Sequence, residues 1–369
     1  MKIGIPREVK NHEYRVACTP AGVRELTARG HEVYLETGAG AGSAFEDDAY
    51  QVAGARVLDS ADAVWDTAEL VLKVKEPVAQ EYSRLRAGQV LFTYLHLAAS
   101  AECTDALLKS GTTSIAYETV TGRDGSLPLL APMSEVAGRL ASQAGAYHLM
   151  RSGGGRGVLM GGVPGARPAN VVVIGAGVAG RNAAAIAVGM HADVTVLDLN
   201  IAPLRELDAQ YRGQVRTIIS NAHEVESAVR EADLVVGAVL VPGAKAPKLV
   251  SNELVSQMKP GSVLVDIAID QGGCFADSHP TTHDDPTYRV HNSVFYCVAN
   301  MPGAVPYTST VALTNATLPY VVSLADRGWR EATAADPGLA AGLSTHAGEL
   351  LSESVAAAHG YAFRKEAVA

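Results

Sequence analysis

The sequence predicts an α/β protein of two domains, each built on a mainly parallel sheet. Three observations carry that expectation. The chain has 369 residues, more than one ordinary domain holds. Short apolar runs alternate with helical patterns almost throughout, which marks βα units. Near the middle, "VVVIGAGVAGRNAAAIAVGMHADVTVLD" sets a G-x-G-x-x-G spacing between an apolar strand and an Ala-rich helix.

Taken in order, "KIGI" (2–5) is the first strand and "TPAGVRELTARG" (19–30) the first helix. Thr19 suits its N-cap, Pro20 its first turn and Gly30 its stop. "HEVYLE" is a strand, "EDDAYQVAG" a helix, "ARVL" a strand, "SADAVWD" a helix and "ELVLKVK" a strand. "QVLFTYLH" (89–96) and "TTSIAYE" (112–118) continue the series around a helix near 101–110. A long helix is expected from Ala131 to about Met150, followed by "SGGGRGVLMGGVPGARP", a glycine-rich connector or subunit contact. It lacks the Lys-Ser/Thr of a phosphate loop. A second series starts at "NVVVIGAG", with strands near 193–199, 215–219, 233–240, 262–269 and 294–300. From Thr308 the pattern reads as helix to the end, "GLSTHAGELLSESVAAAHG" included, with no further strand. These helices are expected to pack back on the first domain.

The composition narrows the function. Formal charge is -9, which argues against a nucleic-acid surface. No apolar run approaches the roughly 18 residues of a membrane span. The chain opens directly into a strand, with no signal peptide expected. Cys18, Cys103, Cys274 and Cys297 are scattered without C-x-x-C spacing, so reduced thiols and a cytoplasmic setting are expected, with no metal site.

The glycine motif has the context that gives it meaning. Gly175 serves a tight turn, Gly177 lets backbone approach a pyrophosphate and Gly180 lets helix and strand pack closely. The pyrophosphate belongs on the helix N-terminus. Asp198 ends the next strand, where a carboxylate accepts from a ribose hydroxyl and repels a 2′-phosphate. NAD is therefore the expected cofactor, bound on a Rossmann-like domain.

Ligands in such sheets bind beyond the carboxyl ends of strands. The polar residues expected there are Lys75, His96 and Asp270, with Arg15 in the region after the first strand. Singly, each has a plain alternative. Arg15 can be a surface arginine, His96 a structural histidine and Asp270 a turn cap before Gly272 and Gly273. Jointly they suit one chemistry, converging in a cleft between the domains. Two cations hold a carboxylate, a histidine titrates near neutrality, and a carboxylate orients water or ammonia. Lys73 and Lys75 share one face of the expected strand. Lys75 is expected to reach substrate and Lys73 to be structural, with Glu118 as its suggested partner.

Eight stretches together resemble the alanine dehydrogenase/pyridine nucleotide transhydrogenase family over nearly the whole chain. They are "GIPREVKNHEYRVACTPAGV", "VKEP", "YLHLA", "APMSEVAGRL", "GGRGVLMGGVPG", "VLVDIAIDQGGCF", "NMPGAVP" and "TSTVALTNATLPY". The resemblance implies reversible, NAD-dependent conversion of L-alanine and water to pyruvate and ammonium. It implies Arg15 and Lys75 as substrate ligands and His96 and Asp270 as acid–base residues. It implies cofactor contacts at Ser134, Val178, Ala179, Asp198, Ser220, Val239, Leu240, Ile267, Ala268, Ile269, Asp270, Val298, Ala299, Asn300 and Met301. It also implies a discontinuous substrate domain (1–129 plus 308–369), an NAD domain (130–307) and a homohexamer, joined internally by long helices. Pro203 and His279 stand where some relatives have basic residues. Ser323 and Arg327 replace the Glu–His pair that holds a divalent ion in others. The competing readings are the soluble nucleotide-binding part of a transhydrogenase and a non-catalytic NAD(H)-binding regulator. Glyoxylate amination and secondary amino-acid substrates stay open.

Overall fold

The computed structural model describes residues 1–239 and 246–364. They form two compact units, one of Met1–Met133 together with the chain from Val305 onward, the other of Ser134–Ala304.

The first unit starts with β1 (Lys2–Ile5), α1 (Pro20–Ala28), β2 (Glu32–Glu36), α2 (Asp47–Val52), β3 (Arg56–Leu58) and α3 (Ala61–Thr67). It continues with β4 (Leu70–Leu72), β5 (Val90–Thr93), α4 (Ala101–Ser110) and β6 (Thr113–Ala116). The local signals act as expected. Thr19 accepts from the Gly22 amide at the start of α1 with Pro20 behind it, and Ser100 accepts from Cys103 to cap α4. Strands β1 to β6 pair in parallel in the order β3-β2-β1-β4-β5-β6. The winding reverses between β1 and β4. Parallel strands covered on both faces must be apolar on both, and β4 and β5 are buried at every position.

The second unit holds most of α5 (Ala131–Leu149), then β7 (Asn170–Ile174), α6 (Val178–Gly189), β8 (Asp193–Asp198), α7 (Ile201–Tyr211), β9 (Val215–Ile219) and α8 (Ala222–Glu231). Then come β10 (Leu234–Gly237), α9 (Asn252–Ser256), β11 (Val263–Asp266), β12 (Thr287–Val290) and β13 (Ser293–Tyr296). Their order is β9-β8-β7-β10-β11-β13-β12, parallel except for β12, which runs antiparallel at the edge. The strand run near 294–300 was expected, but β12 was not. The winding reverses between β7 and β10, as it does between β1 and β4 in the first unit. Alternate residues of β7 feed two cores: Val171 and Val173 on one face, Val172 and Ile174 on the other.

The chain returns to the first unit as α10 (Pro306–Ala335), broken at Gly328, then α11 (Pro337–Ala340). Here one expectation fails. "GLSTHAGELLSES" is not helix but a hairpin of β14 (Leu343–His346) and β15 (Glu349–Leu350), followed by α12 (Glu353–His359). β14 pairs antiparallel with β6 and extends the first sheet. Ala347 and Gly348 both have positive φ, 49° and 84°, as a two-residue hairpin turn of primed type requires. The expected strand ends also run long. β4 stops at Leu72, β5 at Thr93 and β11 at Asp266, so Lys73, Lys75, His96 and Asp270 all lie in the loops beyond.

The glycine-rich segment after α5 contains little regular structure. It has one short helical turn at Arg151–Gly153 and a bridge between Val163 and Ala166. All four cysteines are buried and unpaired. No helix among the described residues is long and apolar enough to cross a membrane.

Candidate active site

In the first unit the polar residues collect in the loops that follow β1, β4 and β5, on either side of the winding reversal. The loop after β4 is built on a buried carboxylate. Glu8 Oε1 accepts from the amides of Val74 at 2.6 Å and Lys75 at 3.3 Å. Its other oxygen pairs with the Lys73 ammonium at 3.1 Å, and Glu81 takes the same ammonium at 2.9 Å. Lys73 has no exposed surface. A buried ammonium needs such compensation. The suggested partner Glu118 is therefore incorrect: Lys73 leaves the sheet after Leu72 and turns to Glu8 and Glu81 instead. Burial pushes the Glu8 carboxyl above the ordinary carboxylate range, against the pull of Lys73.

Lys75 differs. Its carbonyl accepts from Thr93 Oγ1 at 3.0 Å and its amide donates to Glu8, so its backbone is held from both sides. Its ammonium is half-buried and has no hydrogen bond or ion pair among the described residues. A positioned ammonium that makes no hydrogen bond, its charge acting on Glu13, is suited to an anionic or carbonyl oxygen.

Arg15 is not a surface arginine; it is 2% exposed. Its Nε donates to Glu13 Oε1 at 2.7 Å and its Nη2 to Glu13 Oε2 at 2.5 Å, while Nη1 reaches Met133 Sδ at 3.0 Å. The two-pronged face expected to meet a carboxylate thus faces Glu13, leaving the Nη1 side toward other groups. Burial alone would raise the Glu13 carboxyl, but the charge and hydrogen bonds of Arg15 outweigh it and hold Glu13 below its usual range.

His96 lies three residues past β5 with φ of 48°, in the left-handed region. Its ring stacks on Tyr94 at 5.9 Å between centroids and 12° between planes. Tyr94 is anchored through its hydroxyl to the Leu129 carbonyl at 2.5 Å. The ring nitrogens of His96 have no hydrogen bond among the described residues. Glu118, rather than serving Lys73, accepts from the amides of His96 and Leu95.

In the second unit the glycines after β7 meet three distinct demands. Gly175 has φ of 108°, and a Cβ there would lie 2.6 Å from the Ala238 carbonyl. A Cβ on Gly180 would lie 1.8 Å from the Gly175 carbonyl. A Cβ on Gly177 would meet nothing within 4 Å, so this glycine faces open space at the N-terminus of α6. Asp198 ends β8 beside them, with one oxygen on the Ala176 amide at 2.6 Å and the other on the Asn200 amide at 2.7 Å. A carboxylate has about four acceptor positions, so capacity for a ribose hydroxyl remains. Ser134, in the first turn of α5, is half-buried, and so are Ser220 and Val239. Val178 is exposed at the start of α6 and Ala179 partly buried. Leu240 lies outside the described residues. The residues present fit a dinucleotide: an open glycine, free helix-terminal amides and an acidic strand end.

Asp270 falls in a short helical turn, Ile267–Gln271, with its side chain exposed. Ala268 and Ile269 are buried beneath it and Ile267 is half-buried. The turn is not capped by Asp270. Asp266 caps it through the Ala268 amide at 3.0 Å and also accepts from Cys274 and Ser278. Val298 and Met301 are buried, while Ala299 and Asn300 are half-buried, Asn300 with φ of 65°.

Three carboxylates were missed from sequence, Glu8, Glu13 and Asp266, and Glu118 was given the wrong partner. Each accepts from main-chain amides in a loop beyond a strand. Glu8 and Glu13 stand in "PREVKNHE", a stretch whose density of charge gives no sign of burial. Only their position just past a strand end could have marked them.

Comparison with known proteins agrees with this architecture. The family model described as "Alanine dehydrogenase/PNT, N-terminal domain" matches residues 4–137, and that of the C-terminal domain matches residues 141–353. An alanine dehydrogenase of Mycolicibacterium smegmatis is 69% identical, covering 96% of each chain. One of Mycobacterium tuberculosis is 68% identical, covering 100% of this chain and 99% of the other. Among solved structures, an L-alanine dehydrogenase superposes with a TM-score of 0.94 at 52% identity, over 98% of this chain and 99% of that one. A transhydrogenase from Sinorhizobium meliloti gives 0.80 at 27% identity, over 96% and 100%. The fold and site define an oxidoreductase with a nucleotide-binding Rossmann-type unit. Within that class, the chain belongs to the alanine dehydrogenase/PNT family.

Proposed function

We propose that this protein catalyses the reversible, NAD-dependent oxidative deamination of L-alanine to pyruvate and ammonium. The observation that carries the reading is the contrast between two neighbouring lysines. Lys73 is fully ion-paired, whereas Lys75 is held by its backbone and its ammonium has no hydrogen bond or ion pair among the described residues. The identity to proteins named alanine dehydrogenase supports the substrate.

In this reading the first unit binds substrate and the second binds NAD. Lys75 and the Nη1 side of Arg15 receive the substrate's oxygens, and Lys75 stabilises charge that builds on oxygen. Bound NAD supplies the hydride acceptor in deamination. Water then attacks the resulting iminium carbon and ammonia leaves, so protons must move on and off one group. A histidine, with an unperturbed pKa of about 6.5, suits that work, and His96 is assigned to it. Asp270 is assigned to orienting water or assisting proton transfer. Gly175, Gly177 and Gly180 hold the pyrophosphate turn on α6, and Asp198 holds the ribose and selects NAD over NADP. Ser134, Ser220 and the segments around Val239, Ile267 and Val298 complete the cofactor's surroundings. A cytoplasmic homohexamer is part of the same proposal.

A panel of amino acids with NAD⁺ or NADP⁺, and of pyruvate or glyoxylate with ammonium and NADH, tests it. Alanine with NAD⁺ is the expected best pair. The likeness to a transhydrogenase favours a second reading, hydride exchange between nucleotides. NADH formation with alanine alone decides for deamination; no turnover of any amino acid decides against it.

A further inference from the structure

We infer that Glu118 is a positioning residue for His96: its carboxylate fixes the main chain that aims the imidazole. The inference rests on the acid–base assignment of His96 above and deepens it.

His96 occupies a conformation its side chain resists. A non-glycine residue in the left-handed region gives up roughly 1–2 kcal/mol, and φ at His96 is 48°. The strand ladder has stopped at Thr93, so the amides of Leu95 and His96 are outside it. Buried amides without acceptors are costly. Glu118 answers both demands. It follows β6, the strand beside β5, and its Oε1 accepts from the His96 amide at 2.6 Å. Oε1 and Oε2 lie 3.2 and 3.1 Å from the Leu95 amide. One carboxylate thus closes around two consecutive amides. The turn then ends in the hydrogen bond from Ala99 to the His96 carbonyl at 2.9 Å. The ring is fixed separately, stacked on Tyr94. Backbone and ring are both held while the ring nitrogens keep no partner among the described residues. That is the arrangement a proton-transferring histidine needs: fixed in direction, with its reactive atoms uncommitted. The contact is made through amides, so it leaves no trace in the histidine's own side-chain partners.

The consequence is measurable in steady-state kinetics. Misplacing a reacting group by about 1 Å can cost roughly 100-fold in rate. Glu118→Ala should therefore lower kcat by one to two orders of magnitude, with NADH affinity and the KM for alanine little changed. Glu118→Gln keeps an acceptor oxygen for the His96 amide and should recover most of the rate. The deciding experiment is a cycle with His96→Ala. Acting through His96, Glu118→Ala should add no further loss once His96 is gone, although it slows the parent severely. Near-normal kcat in Glu118→Ala, beside a crippled His96→Ala, would overturn this inference and leave the acid–base assignment standing. So would equal losses in both backgrounds, or a Glu118→Gln enzyme as slow as Glu118→Ala. A fully active His96→Ala enzyme would overturn the assignment and the inference together. Should Glu118→Ala not fold, Glu118→Asp, whose carboxylate is one methylene too short to reach both amides, takes its place in the same cycle.

Discussion

At the scale of single residues, the stretch "LKVKEP" separates two uses of one side chain. Removing Lys73 strands two buried carboxylates, Glu8 and Glu81, against each other. Breaking a buried ion network this way typically costs about 3–5 kcal/mol. Lys73→Ala should thus unfold at markedly lower denaturant, and Lys75→Ala should unfold near the wild type yet turn over almost nothing. Two mutants of equal stability with equal loss of turnover would remove the distinction. A second prediction concerns Glu13. Its pKa is lowered on folding because Arg15 outweighs the effect of burial. A carboxyl depressed in the folded state binds fewer protons there than in the unfolded state. Its contribution is therefore full above the ordinary carboxylate range and disappears as pH falls through the depressed value. Unfolding wild type and Glu13→Gln from neutral to acid pH should show a stability gap that closes on acidification. A gap that widens would contradict the pairing.

At the scale of elements, the β7–α6 turn makes its glycines unequal. Gly180 has no room for a methyl group, whereas a Cβ on Gly177 would meet nothing within 4 Å. Gly180→Ala should destabilise the protein, and Gly177→Ala should fold normally but bind NADH more weakly. Thermal unfolding and NADH fluorescence titration together check both; full NADH affinity in Gly177→Ala would place the pyrophosphate elsewhere. The C-terminal hairpin offers a substitution of opposite sign. Ala347 is exposed and sits at φ of 49°, where asparagine is better tolerated and where Asn-Gly is a favoured turn. Ala347→Asn should stabilise by under ~1 kcal/mol, read as a raised denaturation midpoint at constant slope. The element itself was misread because "LSTHAGEL" is short and its turn lacks the usual Asn-Gly. Flanked by true helices, it looked like their continuation.

At the scale of the whole molecule, both sheets reverse their winding at the corresponding place, between the first and fourth strands of each. That shared plan puts Arg15 and Lys75 in the loops at one reversal and the glycine turn at the other. Among the described residues no cluster of three or more His, Cys, Asp or Glu side chains could hold a metal ion. Where the family resemblance puts a Glu–His pair, α10 carries Ser323 and Arg327, a hydroxyl and a cation. Dialysis against a strong chelator should leave alanine oxidation unchanged; a large loss restored by magnesium or zinc would show a site elsewhere.

Much of this was legible in the chain itself, because the signals are local. Alternation of apolar runs fixed most strands and helices, since burying both faces of a parallel strand allows few polar residues. The spacing Gly175, Gly177, Gly180 to Asp198 announced a nucleotide site, since each glycine answers a steric demand made within a few residues. The residue types at Arg15, Lys75, His96 and Asp270 suggested the chemistry proposed above. What only the tertiary structure decided was pairing across the sheet. Glu8 reaches Lys73 over 65 positions, Glu118 reaches His96 over 22, and Thr345 of β14 meets Ser114 of β6 over 231. No periodicity encodes such contacts. The first two exist because parallel winding brings the ends of distant strands together, where a buried ammonium or an unsatisfied amide must find whichever acceptor the fold has placed beside it; the third exists because the returning chain adds β14 antiparallel to the edge of that sheet.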